Sequence, residues 1–381
     1  MRSARILILL VLIISLSGCW SSRDIEKLDL LLGVGIDEAQ GIQNDKLLTV
    51  TYQFAQVSNN QTTNNSAQSP KPFSNVEVTG NSILESAREV IQKRKNIING
   101  HHQQLIIISR KVAEKRNLRE LVDFFIRDPE ARMSCLVMVT DDRSKNLLEI
   151  TDSEIPTLYI TDMTKHTTKS NKIIEPMPLS KINAQMEAKS SFLLQNVVRT
   201  DNNELMLKGA AVIQGDTLKM IGSLNEEELE GVSWLMAYTD GGIIKFQHED
   251  SDAIIVYELE SIDSRIKPKL SNGVLSFQIE TKLSGAISEL AAPTHDITNE
   301  DNIQKLEKQI EEKVNSQIEN SLEKLQKELQ SDVIGLHDYV RIKYPKYWKE
   351  HKENWDTQFG QTEIDYSVDV KITEFHMNIG S

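Results

Sequence analysis

Hydrophobic positions fall into three patterns along this chain. The first is a continuous run at residues 6–16, eleven positions of which Ser15 is the polar member. A membrane-spanning helix needs about 20 apolar residues, so the run is too short to cross comfortably. Behind Arg2 and Arg5 it has the make-up of a signal-peptide core. The second pattern is short apolar runs bounded by turn residues. Residues 28–37 and 46–57 read as strands joined by a Gly/Gln/Asn turn, 74–80 as a short alternating strand, 101–110 as a compact strand and 132–140 as the next. The third pattern is helical spacing. Asn81 or Ser82 caps a helix running to about Lys95, with Ile83, Ala87, Val90 and Ile91 on its apolar face. Residues 111–128 carry Leu118, Leu121, Val122 and Phe125 at helical intervals and stop at Pro129. Strand, helix, strand, helix, strand predicts a mixed α/β unit.

From 146 to 188 the signal weakens. Pro156, Pro176 and Pro178 interrupt helical pieces, which predicts a helical bridge or linker. A second strand-rich region starts near Leu205, with strands at 205–213 and 217–224, a helix at 225–238 and strands at 241–246, 253–270 and 274–290. A long helix follows over 300–329, with the apolar stripe Ile303, Leu306, Ile310, Val314, Ile318, Leu322, Leu325 and Leu329. The stripe advances about 3.7 residues per step, where a left-handed coiled coil wants about 3.5, so it predicts a helix lying across its own sheet rather than a dimer zipper. A basic-aromatic helical stretch and an alternating strand at 363–375 close the chain. The polar segment 58–72 lacks core-forming residues and reads as a long exposed loop.

The expected fold is therefore α+β, a mixed α/β multi-domain protein whose sheets are packed with helices and whose long C-terminal helix crosses an antiparallel-rich sheet. The expected divisions are a leader at 1–18, an N-terminal mixed α/β region at 19–190 and a C-terminal domain at 200–378. A break near 146–188 leaves open whether the N-terminal region is one unit or two.

Charge and cysteine usage narrow the function classes. The chain carries a formal −13, and loss of Arg2 and Arg5 with the leader takes it to −15. Such a body argues against nucleic acid, whose phosphates want clustered Lys and Arg. It argues equally against broad adhesion to anionic lipid. One of the two cysteines sits in Leu16-Ser17-Gly18-Cys19, which resembles a bacterial lipobox. That chemistry places S-diacylglycerol and an N-acyl chain such as palmitate on Cys19, and two acyl chains give stable anchoring. The mature chain is then expected as a lipoprotein on the outer face of the cytoplasmic membrane. Cys135, in an apolar run, reads as a small core residue.

No catalytic signature emerges: GxSxG, HExxH, CxxC, P-loop and EF-hand patterns are all missing, so no enzyme and no cofactor is expected. The glycines of GVGID are better explained by tight strand packing or a bend. His101 and His102, if adjacent on a strand, point to opposite faces and cannot share a metal, so no metal site is expected. His248–Asp252 reads as a weak calcium loop or a solvated turn, and Asp141-Asp142 as a turn. Trp348 and Trp355, seven residues apart with Lys352 near them, suit a headgroup surface or a protein interface. They equally suit the core of the last domain.

Four blocks in order carry a resemblance. They are GCW followed by RDIEKLDLLLGVGID, GHHQQLIIISRKVAEK with LVDFFIRDPEARMSCLVMV, LKGAAVIQGDTLKMIGSLNEEELEGVSWL, and DVIGLHDYVRIKYPKYWKEHKENWDTQF. Together they resemble the Ger(x)C family of spore germination lipoproteins, the C subunits of nutrient germinant receptors. Ser21-Ser22 stands where the family commonly has an acidic residue, outside the lipobox. The resemblance implies a non-enzymatic, lipid-anchored subunit in the spore inner membrane, partnered by integral-membrane A and B subunits. It also implies that a small nutrient is bound by the other subunits. Only Cys19 carries over as a functional residue. The competing expectation is a substrate-binding lipoprotein of a transporter, which would show two βαβ-repeat lobes. A lipid-anchored hydrolase lacks any nucleophile-base pair legible in the sequence.

Overall fold

The computed structural model describes residues 27–41, 46–56, 71–150, 154–239, 241–247, 254–290 and 299–375. The apolar runs of the N-terminal half become β1 (Leu28–Glu38), β2 (Leu48–Ala55), β3 (Phe73–Gly80), β4 (Ile97–Asn99), β5 (Leu105–Ser109) and β6 (Leu136–Thr140). They join β7 (Phe192–Arg199), β8 (Leu205–Ile213) and β9 (Met220–Leu224) in one sheet of order β3-β2-β1-β5-β6-β7-β8-β9, with β4 beside the start of β1. The middle strands β1, β5, β6 and β7 run parallel, and the outer ones are antiparallel.

Parallel strands buried on both faces read as unbroken apolar runs, and β5 shows why. Ile106 and Ile108 point into a core with α1 (Ile83–Gln92), α2 (Arg110–Lys115), α3 (Leu118–Arg127) and α6 (Leu179–Ala188). Leu105 and Ile107 point to the opposite core, formed by α4 (Ser144–Leu147), α5 (Pro156–Met163) and Leu148. On that second face β1 offers Gly33 and Gly35. A Cβ at either would stand 2.0 Å from Thr157 Oγ1 or 2.4 Å from Ser144 Oγ, so these glycines let α5 and α4 lie directly on the strand. The buried Asp37 carboxylate, next along β1, accepts from the Ser144 and Lys145 amides and holds the start of α4.

Three local expectations change. The helix expected over 111–128 is two helices. Asn117 caps the second by accepting from the Arg119 amide, and it donates to Thr217 O while the Leu118 amide donates to Leu218 O. Ile91, expected on a buried face, is 49% exposed. His101 and His102 lie in a 3₁₀ turn before β5, both exposed, rather than on the strand.

Residues 205–224, which the sequence pattern assigns to the C-terminal domain, are hydrogen-bonded into the first sheet as β8 and β9. Their alternation explains the different assignment. Ala211, Ile213 and Met220 face the N-terminal core, whereas Ala210, Val212 and Leu224 face the C-terminal one.

That second core is built on α7 (Glu226–Met236), which opens with a capping box between Asn225 and Glu228. A second sheet of order β10-β11-β12-β13 faces it, made of β10 (Gly242–Gln247), β11 (Ile254–Ser271), β12 (Val274–Leu290) and β13 (Glu363–Phe375). Asn272 and Gly273, both at positive φ, turn the long β11–β12 hairpin. β13 returns parallel to β12. The long helix is α8 (Glu300–Glu323), ending in a π-wound turn at Lys324–Leu329. Leu306, Ile310, Val314, Ile318, Leu322 and Leu325 of its stripe are buried, against α7 and the sheet. Its outward-leaning Glu307 and Glu311 accept from the Ile372 and Val370 amides of the edge strand β13, at 2.9 and 3.2 Å. Where α7 meets α8, Trp234 Nε1 donates to Gln317 Oε1 at 2.8 Å, and Gln317 Nε2 donates to Glu230. Three short helices, α9 (Leu336–Lys343), α10 (Pro345–His351) and α11 (Trp355–Phe359), pack between the long helix and β13 in sequence. The architecture is the mixed α/β fold expected, and the described residues form one mixed and one antiparallel-rich sheet rather than two βαβ-repeat lobes.

Candidate functional site

Cys19, residues 248–252 and most of the 58–72 loop lie outside the described residues. The sequence-predicted residues that are described, Trp348, Lys352 and Trp355, come together at the junction between the first sheet and the C-terminal helices. The helical stretch is broken between α10 and α11, yet the two indoles meet edge to face, centroids 5.4 Å apart. Trp355 is buried, Trp348 half-buried, and Lys352 stands at the rim beside Glu353.

The centre of this junction is Asp332, 1% exposed. Its carboxylate accepts from the amides of Gly335, Leu336 and His337 at 2.8–3.1 Å, from Trp355 Nε1 at 2.7 Å, and from His337 Nδ1 at 3.1 Å. Gly335, at φ +79°, makes the turn that aims these amides inward. His337 Nε2 lies 2.9 Å from Ser190 Oγ, and the His337 ring sits 5.9 Å from that of Trp348. Next to it Ser191 Oγ donates to Asp356 Oδ2 and accepts from the Gly215 amide, while the Asp332 amide donates to Asp356 Oδ1. Two loops of the first sheet, at 188–191 and 215, are thus sewn to α9 and α11. A cleft of about 480 Å³ opens over this seam, lined by Lys189, Arg341, Trp348, Lys352, Glu353 and Asp356 among others.

Burial alone would raise the Asp332 carboxyl, but the hydrogen bond and charge of His337 outweigh it and hold it below the usual range. Burial alone would lower His337, but the Asp332 hydrogen bond and charge outweigh that and raise it. Asp356 goes up, chiefly by burial, so adjacent carboxyls are pushed apart. A raised histidine stabilises the fold fully below its unfolded value near 6.5, and that contribution is lost as pH rises through its folded value. The lowered Asp332 adds stability above its unfolded value of 3.8 that is lost as pH falls through its folded value. The stability gap between the native chain and His337→Gln is therefore expected to be widest between about pH 4 and 6.5 and to narrow toward pH 9. Urea unfolding across that range checks it; a flat gap refutes the pairing.

The order Ser190, His337, Asp332 is that of a nucleophile, base and orienting carboxylate. Sequence reasoning missed it because the serine and histidine are 147 positions apart. Its surroundings fit a structural seam better than acyl transfer. Ser190 is 6% exposed, its amide is committed to Gln185 O, and the Gly215 amide to Ser191 Oγ, so neither nearby amide is available to an oxyanion. Among the described residues no group of three or more His, Cys, Asp and Glu side chains could hold a metal, and no helix is long and apolar enough to cross a membrane. Cys135 is buried, and burial pushes its thiol far above the ordinary value.

Comparison with known proteins adds the following. Residues 21–198 match a family model described as the spore germination protein N-terminal domain, and residues 208–376 one described as spore germination B3/GerAC like, C-terminal. Spore germination protein YndF of Bacillus subtilis (strain 168) is 33% identical, over 97% of this chain and 95% of that protein. Spore germination proteins B3 and A3 of the same organism are 27% and 28% identical, each over 97% of this chain and at least 96% of their own length. The crystal structure of the GerBC protein superposes with a TM-score of 0.63 at 24% identity, covering 92% of this chain and 99% of that one.

Proposed function

The chain belongs to the GerAC-like family of spore germination proteins, and from that membership we propose that it is a non-enzymatic subunit of a nutrient germinant receptor. In this reading Cys19 carries S-diacylglycerol and an N-acyl chain, and the body is held on the outer face of the spore inner membrane. Integral-membrane A and B subunits are its partners, and nutrient binding resides in them. The observation that carries the reading is the match of both family models, in order, across nearly the whole chain. The lipobox-like Leu16-Ser17-Gly18-Cys19 supports the anchor. Tethering raises the effective concentration of a partner contact, so a weak interface suffices.

The test is germination of spores carrying Cys19→Ala at native expression in a strain without other nutrient receptors. The expected result is loss of nutrient-triggered dipicolinate release, at least tenfold, with release by a non-nutrient trigger unchanged. An unimpaired nutrient response would refute the need for the anchor. An unimpaired response after deletion of the whole chain would refute the receptor role.

A further inference from the structure

Although the chain is acidic overall, one end of its first sheet is basic. In β1, β4, β5 and β6 the parallel register places every N-terminal strand end at one edge. The C-terminal ends of α1 and α3 and the antiparallel meeting of Ala55 with Phe73 lie at that same edge. The turns there present Lys27, Lys71, Lys93, Lys95, Arg127 and Arg132, all exposed. Three large apolar side chains stand among them: Ile97 at 55% exposed, Ile91 at 49% and Met133 at 38%.

Five described carboxylates share this edge with seven cations, Arg94 included, which leaves a small cationic excess. Asp29 is buried against Arg94 at 2.5 Å, Asp128 accepts from the Glu130 amide at 2.9 Å, and Glu130 accepts from the Gly100 amide at 3.5 Å. Glu89 and Asp123, one turn back, pair with Lys93 and Arg127. The opposite edge carries Glu38, Asp141, Asp142 and Asp201, the first three paired with Lys115, Arg110 and Arg199. The basic edge is also the one from which the chain leads back to Cys19. Lys27 is eight residues from that cysteine, a reach of at most about 28 Å.

We propose that this edge lies on anionic phospholipid headgroups, with Ile91, Ile97 and Met133 at the headgroup level and the lysines and arginines against phosphate. Cations near an anionic leaflet and exposed apolar side chains act together at such a surface. The proposal rests on the reading that Cys19 is acylated. It sets the orientation of the whole body, with β3, β1 and β5 standing on the membrane and the Asp201 turn pointing away.

The test uses the mature acylated chain in protein-free vesicles, with a fluorophore at Lys95→Cys, Arg132→Cys or Asp201→Cys and bromolipid as quencher; Cys135 is buried and stays unlabelled. In vesicles with phosphatidylglycerol, labels at 95 and 132 are expected to be quenched and the label at 201 not. Quenching at 132 should fall at least threefold in phosphatidylcholine vesicles, and again when Lys93 and Lys95 are both changed to Glu. Mass spectrometry of the N-terminal peptide separates the two ideas. An N-terminus without acyl chains overturns the anchor and this proposal with it. An acylated, vesicle-bound chain with unquenched labels at 95 and 132, or with quenching indifferent to lipid charge, overturns the orientation alone, as it would if this edge served a protein partner.

Discussion

Asp332→Ala is expected to cost about 3–5 kcal/mol of unfolding free energy, because it strands buried donors that have no other acceptor. Five hydrogen bonds converge on that carboxylate, from three amides, an indole and an imidazole. Water cannot replace them at a site where Asp332 is 1% exposed. The loss should be local first. Hydrogen exchange at residues 336–359 should speed up before exchange in β5 does, because this one side chain ties α9 to α11 and orients His337, which with Asp356 joins them to the first sheet. Asp332→Asn should cost less, since one carboxylate-like oxygen remains. A decrease under 1 kcal/mol in Asp332→Ala, read by indole fluorescence in urea, would mean the seam is held by its apolar contacts instead.

The second large effect is expected at Gly231. An alanine inside an exposed helix stabilises it relative to glycine by up to about 1 kcal/mol. Here the sign reverses. A Cβ at 231 would stand 2.0 Å from Ser321 Oγ and 2.2 Å from Gln317 O, and the latter is backbone that cannot rotate away. α7 and α8 would have to part, and the Trp234–Gln317 hydrogen bond lies in the same contact. Gly231→Ala should lose at least about 2 kcal/mol and Gly231→Val more, in line with overpacked cores. Calorimetry decides it: an unchanged or raised midpoint for Gly231→Ala would show that the two helices have room.

Element positions were legible in the sequence because burial on one or both faces leaves a period. β5 and the α8 stripe are visible as a run and a 3.7-residue repeat. The break between α2 and α3 was legible in principle through Asn117, a capping residue in mid-pattern. The membership of β8 was not, because its alternating residues satisfy two cores and a period cannot say which sheet a strand joins. The candidate site was half legible. Trp348 and Trp355 announced a cluster, but Asp332, His337 and Ser190 are single polar letters brought together from distant segments. What they do depends on turns at Gly335 and Lys189 that no local pattern specifies. The basic edge was hidden for a related reason: net charge averages over the chain, whereas parallel topology gathers separate turns at one place.

The return of β13 alongside β12 sets an order of folding. Ser276 pairs with Glu363, so the second sheet cannot close until the last strand has left the ribosome. The first sheet needs nothing beyond Leu224 for its hydrogen bonding and can assemble while the rest is still being made. Long-range closure is the slow step in such topologies. Until it happens, the outward faces of β8 and β9 stay open to solvent, and the nascent chain is most exposed to proteases and chaperones in that interval.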